Sequence, residues 1–96
     1  MSPLKRKKLS KIRSQLDRLD NSFIRLIKKR TNLVKKVLAL KESKSQIADK
    51  KRINFILNKI KGKSKKLKID PKITNRIWKN MIWSYIDYER RNFNKK

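Results

Sequence analysis

An all-helical fold is what this sequence predicts, and three observations predict it. Turn-forming residues are scarce: 96 residues include one Gly and two Pro, which favours long helices over a turn-rich β protein. Apolar residues recur at steps of three and four rather than two. Asp49 and the pair Asp70-Pro71 supply helix-start signals where the periodicity restarts.

The first element runs from about Leu4 to Lys41. Its apolar positions are Leu9, Ile12, Leu16, Leu19, Phe23, Leu26, Leu33, Val37 and Leu40. These steps trace a heptad seam, widened by Ile27, Val34 and Leu38 as packing in a bundle requires. At ~1.5 Å per residue such a helix exceeds ~50 Å. One short chain cannot wrap it completely, so a second copy is the expected cover. Glu42 to Ala48 is polar and aperiodic, and reads as a loop. Asp49 caps a second helix whose inward row is Ile53, Ile56, Leu57 and Ile60. Gly62 to Lys68 is a lysine-rich stretch where that helix is expected to fray or end. Asp70 as N-cap and Pro71 at the first helical position open a third helix. It carries Ile73, Ile77, Trp78, Met81, Ile82, Tyr85 and Ile86, and ends near Phe93. The basic stretch 1–8 reads as an N-terminal extension, and 9–96 as one helical domain.

Composition narrows the chemistry. The chain has no Cys, hence no disulfide or thiolate metal site. Without His it lacks the commonest general base and the commonest metal ligand. No metal or cofactor is expected. Residues 1–11 are basic but no apolar stretch follows, so they do not read as a secretory signal. No segment approaches the ~18 apolar residues of a membrane span, and the expected address is the cytoplasm. The charge is extreme, with 31 Lys and Arg against 7 Asp and Glu. Clustered cations attract phosphates, but here they occur in every segment rather than in one stripe. Nucleic acid is therefore the less favoured partner, although the charge leaves it open. The same charge helps to draw in a small anion.

Several polar residues break the apolar pattern. Arg30 holds the seam position between Leu26 and Leu33, where a guanidinium is costly unless paired. The nearest acids on this helix, Asp17 and Asp20, are at least ~15 Å away. An external carboxylate or phosphate is the favoured partner; a salt bridge, or an arginine reaching the rim, is the alternative. Lys41 lies ~16 Å along the helix from Arg30, close enough for two long side chains to share a ligand. Arg13 is ~25 Å from Arg30, so it can join only from a second copy packed antiparallel. Arg52 flanks the inward row of the second helix. Glu89 follows Tyr85 by four and Ile82 by seven, which puts a carboxyl on the inward stripe. It is either a counter-ion for the cations or an acid that donates a hydrogen bond.

Taken together, Ile12-Arg13, Leu16-Asp17, Leu19-Asp20, Leu26, Arg30, Leu33-Val34, Val37 and Lys41 resemble the first helix of the all-helical class of chorismate mutase. The family pattern is I-R…LD…L…R…LV…V…K. The likeness continues through Asp49 and Arg52, then Ile77-Trp78, Met81-Ile82, Tyr85 and Glu89, from about Leu9 to Phe93. It implies an intertwined homodimer of three-helix protomers that converts chorismate, a dicarboxylate, to prephenate on the way to Phe and Tyr. By position, Arg30 and Arg52 would bind substrate carboxylates, with Arg13 reaching in from the other protomer. Asp49 and Tyr85 would line the site. Lys41 and Glu89 would address the ether oxygen whose bond breaks. A glutamate must be protonated to donate there, which implies activity favouring mildly acidic pH. Two departures matter. Many members place Glu directly after the arginine matching Arg52, where this chain has Ile53, and some carry a small Ser where it has Tyr85. That pair resembles the sister family isochorismate-pyruvate lyase, which forms salicylate on the same fold.

Overall fold

The structure, a computed structural model, describes residues 1–94. Those residues form α1 (Pro3–Leu40), a 3₁₀ turn (Lys44–Gln46), α2 (Lys50–Lys66) and α3 (Pro71–Asn92), with no strand among them. No described helix is long and apolar enough to cross a membrane. The chain divides into two compact units, Met1–Leu33 and the residues from Val34 onward.

The first unit is the greater part of α1. Ser2 accepts a hydrogen bond from the Lys5 backbone N–H at 3.2 Å, and Pro3 occupies the first helical position, where its missing N–H costs nothing. The basic stretch near the N-terminus is thus mostly helical. Farther along, the hydroxyls of Ser14 and Thr31 donate to the carbonyls four residues earlier. The apolar seam forms as the periodicity predicts, yet the chain does not cover it. Ile12, Leu16, Leu19, Phe23, Leu26 and Leu33 each leave more than half of their surface exposed, and no α1 residue is buried. An amphipathic helix takes most of its stability from packing its apolar face, and one chain does not supply that packing here.

The second unit is organised by α2 against α3. Its core is Ile47, Ile82 and Ile86, with Ala48, Ile53, Ile56, Leu57 and Phe93 packed on it. Ile53 near the start of α2 packs on the core that includes Ile82 and Ile86 from the second half of α3, while Ser64 near the end of α2 meets Thr74 near the start of α3, so the two helices run antiparallel. Both expected caps are present. Asp49 accepts from the Arg52 N–H at 3.1 Å, and Asp70 from the Lys72 N–H at 2.9 Å. Ala48 and Ile53 flank the first cap at the spacing of a hydrophobic staple. Two expectations need correction. Ile47, inside the segment read as a loop, is the most buried apolar residue, at 3% exposure. Ile73 and Ile77, read as part of α3's apolar face, stay exposed, because α2 covers only the face that carries Ile82 and Ile86.

The second helix ends within the lysine-rich stretch 62–68, as expected. It passes Gly62 and continues to Lys66. Ser64 holds that last turn: its buried hydroxyl lies 2.7 Å from the Ile60 carbonyl and 2.7 Å from the Thr74 hydroxyl. With one proton to give, Ser64 donates to the carbonyl and accepts from Thr74. The helix then closes in a Schellman motif. Ile69 N–H bonds the Ser64 carbonyl at 2.9 Å and Lys68 N–H bonds that of Lys65 at 3.2 Å. Lys68 carries the motif's left-handed conformation, with φ of 57°, a place that favours glycine. The one glycine of the chain stands instead inside the helix, where nothing lies within 4 Å of the position its Cβ would take.

This exchange of places is testable. Gly62→Ala should stabilise the chain by about 0.5–1 kcal/mol through helix propensity. Lys68→Gly should add about 0.5–1 kcal/mol by relieving the left-handed backbone. Urea unfolding checks both, and a loss of stability in either variant would contradict the local geometry.

Candidate active site

Lys41 is the first residue beyond α1, and its backbone N–H bonds the Leu38 carbonyl at 3.1 Å. Its side chain turns inward. Nζ donates to Glu89 Oε1 at 3.1 Å and Oε2 at 3.3 Å, and to the Ile47 carbonyl at 3.4 Å. Glu89 is 5% exposed, one helical turn beyond Tyr85 and next to the core positions of α3. Its inward placement follows from the spacing of Ile82, Tyr85, Ile86 and Glu89 on one helical face. A carboxylate buried this far needs a cation and hydrogen bonds, and Lys41 supplies both.

Beside the pair lies a cavity of about 580 Å³, within the size range of small-molecule sites. Val37, Leu40 and Ala48 give it an apolar wall. Lys41, Ser45, Gln46, Asp49, Lys50 and Lys51 give it polar groups. Three lysines face one carboxylate, and that carboxylate is already engaged as the cap of α2. Lys50 and Lys51 occupy the first turn of α2, where helix N–H groups add partial positive charge. The lining of this open cavity therefore carries more cationic than acidic groups.

The second unit brings Lys41 against Glu89 and puts Lys41 and Asp49 on one cavity wall. Tyr85 is half-buried on α3, one turn before Glu89. Arg52 is exposed, and its guanidinium carbon sits 5.3 Å from the centre of the Phe55 ring, outside the cavity lining. Arg13 and Arg30 belong to the first unit, Arg13 exposed and Arg30 half-buried between the exposed Leu26 and Leu33.

Sequence reasoning missed the contribution of the 3₁₀ turn. Gln46 Oε1 accepts from the backbone N–H groups of Glu42 and Ser43, at 2.6 and 3.2 Å, and so shapes the cavity edge. A three-residue turn is too short to leave a periodic signal. Lys50 and Lys51 were hidden by abundance, since lysine occurs throughout the chain. Their place beside the Asp49 cap was the available clue.

Fold and site together define an all-helical protein with a lysine-lined cavity beside a buried Lys–Glu pair. The family model for chorismate mutase type II matches residues 12–90, and the chain belongs to that family. Neither the curated proteins nor the solved structures yielded a match.

Removing one member of a buried ion pair strands the other. Lys41→Met, which keeps the length of the side chain, should cost about 3 kcal/mol of stability. Glu89→Gln, which keeps shape and hydrogen-bonding capacity, should cost clearly less. Chemical unfolding of both variants makes the comparison, and a negligible cost for Lys41→Met would mean that the pair does not stabilise this corner.

Proposed function

We infer that the chain is a chorismate mutase, acting in the cytoplasm as a homodimer on the way to Phe and Tyr. The observation that carries the reading is the cavity beside the Lys41–Glu89 pair, rich in lysine and sized for a small dianion, in a chain of the matching family. The reaction is an intramolecular rearrangement: one C–O bond breaks, one C–C bond forms and nothing is added or lost. It needs no nucleophile, metal or cofactor, so a chain without His or Cys can perform it. The protein's work is to hold a compact conformer and to stabilise charge developing on the ether oxygen.

In this reading Lys41 Nζ donates to that oxygen. Glu89, which receives two of the lysine's hydrogen bonds, fixes the amine in place, and when protonated it is itself a donor. Asp49 holds the start of α2 beside the cavity through its cap bond. Tyr85 borders the site. Arg30 and Arg52 bind the two carboxylates. For Arg52 this means exchanging the Phe55 ring for the substrate. Arg13 arrives from a second copy, whose α1 also covers the exposed seam. The uncovered leucines support that dimer, since an apolar stripe of this length left in water is unfavourable.

A specific observation favours a second reading, isochorismate-pyruvate lyase. Ile53 packs on the apolar core of the second unit, so its position offers no polar group to a substrate hydroxyl. Incubating the purified chain separately with chorismate and isochorismate, and identifying the products, decides between them. The expected result is prephenate from chorismate as the faster reaction. Salicylate from isochorismate as the faster reaction would assign the lyase instead, and no turnover of either would end both readings.

The dimer has its own test. Arg13→Ala and Arg30→Ala should each lower kcat/KM by about a hundredfold or more, as the loss of one charge-stabilising donor does. Mixed after unfolding and refolding together, the two variants should recover about a quarter of wild-type activity. Half of the dimers are then mixed, and each of those has one intact site and one doubly damaged site. No recovery would mean that Arg13 and Arg30 act within one chain.

A further inference from the structure

Helix α2 has a second cationic face, turned away from α3. From residue 50 to residue 69 the sequence has three cations at 50–52, six more from Lys59 to Lys68, and no acid. The inward side of the helix is taken by Ile53, Ile56, Leu57, Ile60 and Ser64. On the outward side Phe55, Lys59, Gly62 and Lys66 follow at steps of four, three and four, which makes one stripe about 16 Å long. All four are exposed, and Lys63 borders them.

Two features distinguish this stripe from a merely solvated lysine surface. Phe55, 54% exposed, lies between two cations, with Arg52 at 5.3 Å and the Lys59 amine at 5.8 Å from its ring centre. A half-exposed ring flanked by mobile cationic side chains becomes a stacking platform for a base when one of them swings aside to a phosphate. Gly62 leaves a gap one turn farther along, with nothing within 4 Å of where a Cβ would stand. That allows another backbone to approach closely, at a cost in helix propensity which no packing explains. Among the described residues no ion pair engages Lys59, Lys63 or Lys66.

These features point to one kind of partner. A duplex hides its base faces in the stack, so an exposed ring is useful only to unpaired bases. A lipid surface requires a broad apolar face, and this stripe offers one ring. At ~3.4 Å per nucleotide the stripe spans about five nucleotides, near the lower end of known single-strand sites. We propose that the outward face of α2 binds single-stranded nucleic acid without sequence preference, with a base stacked on Phe55 and successive phosphates held by Lys59, Lys63 and Lys66. The three lysines lie outside the catalytic reading, and the two readings meet only where Arg52 touches Phe55.

The test uses the full chain and a short fluorescent oligo-dT, with anisotropy followed across a salt series. Replacing Lys59, Lys63 and Lys66 together by Gln, which keeps helix propensity, should flatten the plot of log affinity against log salt by about 2, at ~0.7 per cation for single strands. Phe55→Ala should weaken binding about tenfold with the slope unchanged, and Phe55→Trp should restore it. A control replacing Lys5, Lys7 and Lys8 by Gln removes the same charge from α1 and should flatten the slope far less. Equal losses in the two triple variants would overturn the site in favour of bulk charge. So would anionic phospholipid vesicles that need the three α2 lysines while oligo-dT does not bind. Chorismate turnover, measured on the same preparations, should survive the α2 triple substitution. Failure of the catalytic reading would show separately, as absent turnover in the wild type.

Discussion

A carboxylate with almost no water around it must have a cation, and in this chain Glu89 has Lys41. Much of the second unit follows from that pairing. The lysine amine must reach α3, so the chain leaving α1 turns inward instead of running on into solvent. The same amine takes the Ile47 carbonyl as a further acceptor, which draws the connecting segment down and seats Ile47 in the core between α2 and α3. Asp49 then falls where it can cap α2. The cavity is the space left beside these connections. Its positive character arises because the one acid on its wall is occupied and the buried acid behind it is neutralised.

How far the structure was legible depended on the range of each interaction. The caps at Asp49 and Asp70 could be read because a cap is completed within three residues. The inward turn of Glu89 could be read because it needs only the helical period and its neighbours Ile82 and Tyr85. Ile47 could not: with only Ala48 beside it in a polar stretch it makes no periodic signal, and its burial depends on α3, far away in sequence. The end of α2 between Gly62 and Lys68 could be read from its lysine-rich composition, but the Ser64–Thr74 bond that holds its last turn could not. Arg52 was legible as a residue beside the inward row, but its contact with Phe55 was not. The heptad seam was legible as apolar, and its exposure was legible too, because a helix of this length exceeds what a 96-residue chain can wrap.

The distribution of charge shapes what such a chain can do. With 31 cations against 7 acids, most lysines have no acidic neighbour to choose, and several acids are committed to structural tasks. Asp49 and Asp70 cap helices, and Glu89 holds Lys41. Asp87 pairs with Arg91 at the surface, at 2.9 Å, where such a pair adds little. Specific chemistry can therefore arise only where folding excludes water from a cation or sets one beside an aromatic ring. The Lys41 corner is the first kind of place, and the Phe55 face of α2 is the second.

Lys68 shows a further effect of so much positive charge. Its left-handed backbone is unfavourable for any residue with a side chain. Yet it stands just beyond the end of α2, with Lys63, Lys65 and Lys66 in the last turn, where the helix's negative pole attracts cations. Part of the backbone strain is offset by a field that mobile ions can screen. Ionic strength thus becomes a structural variable at this corner: dissolved salt adjusts how firmly the turn between α2 and α3 is held, with no ligand and no change of covalent structure.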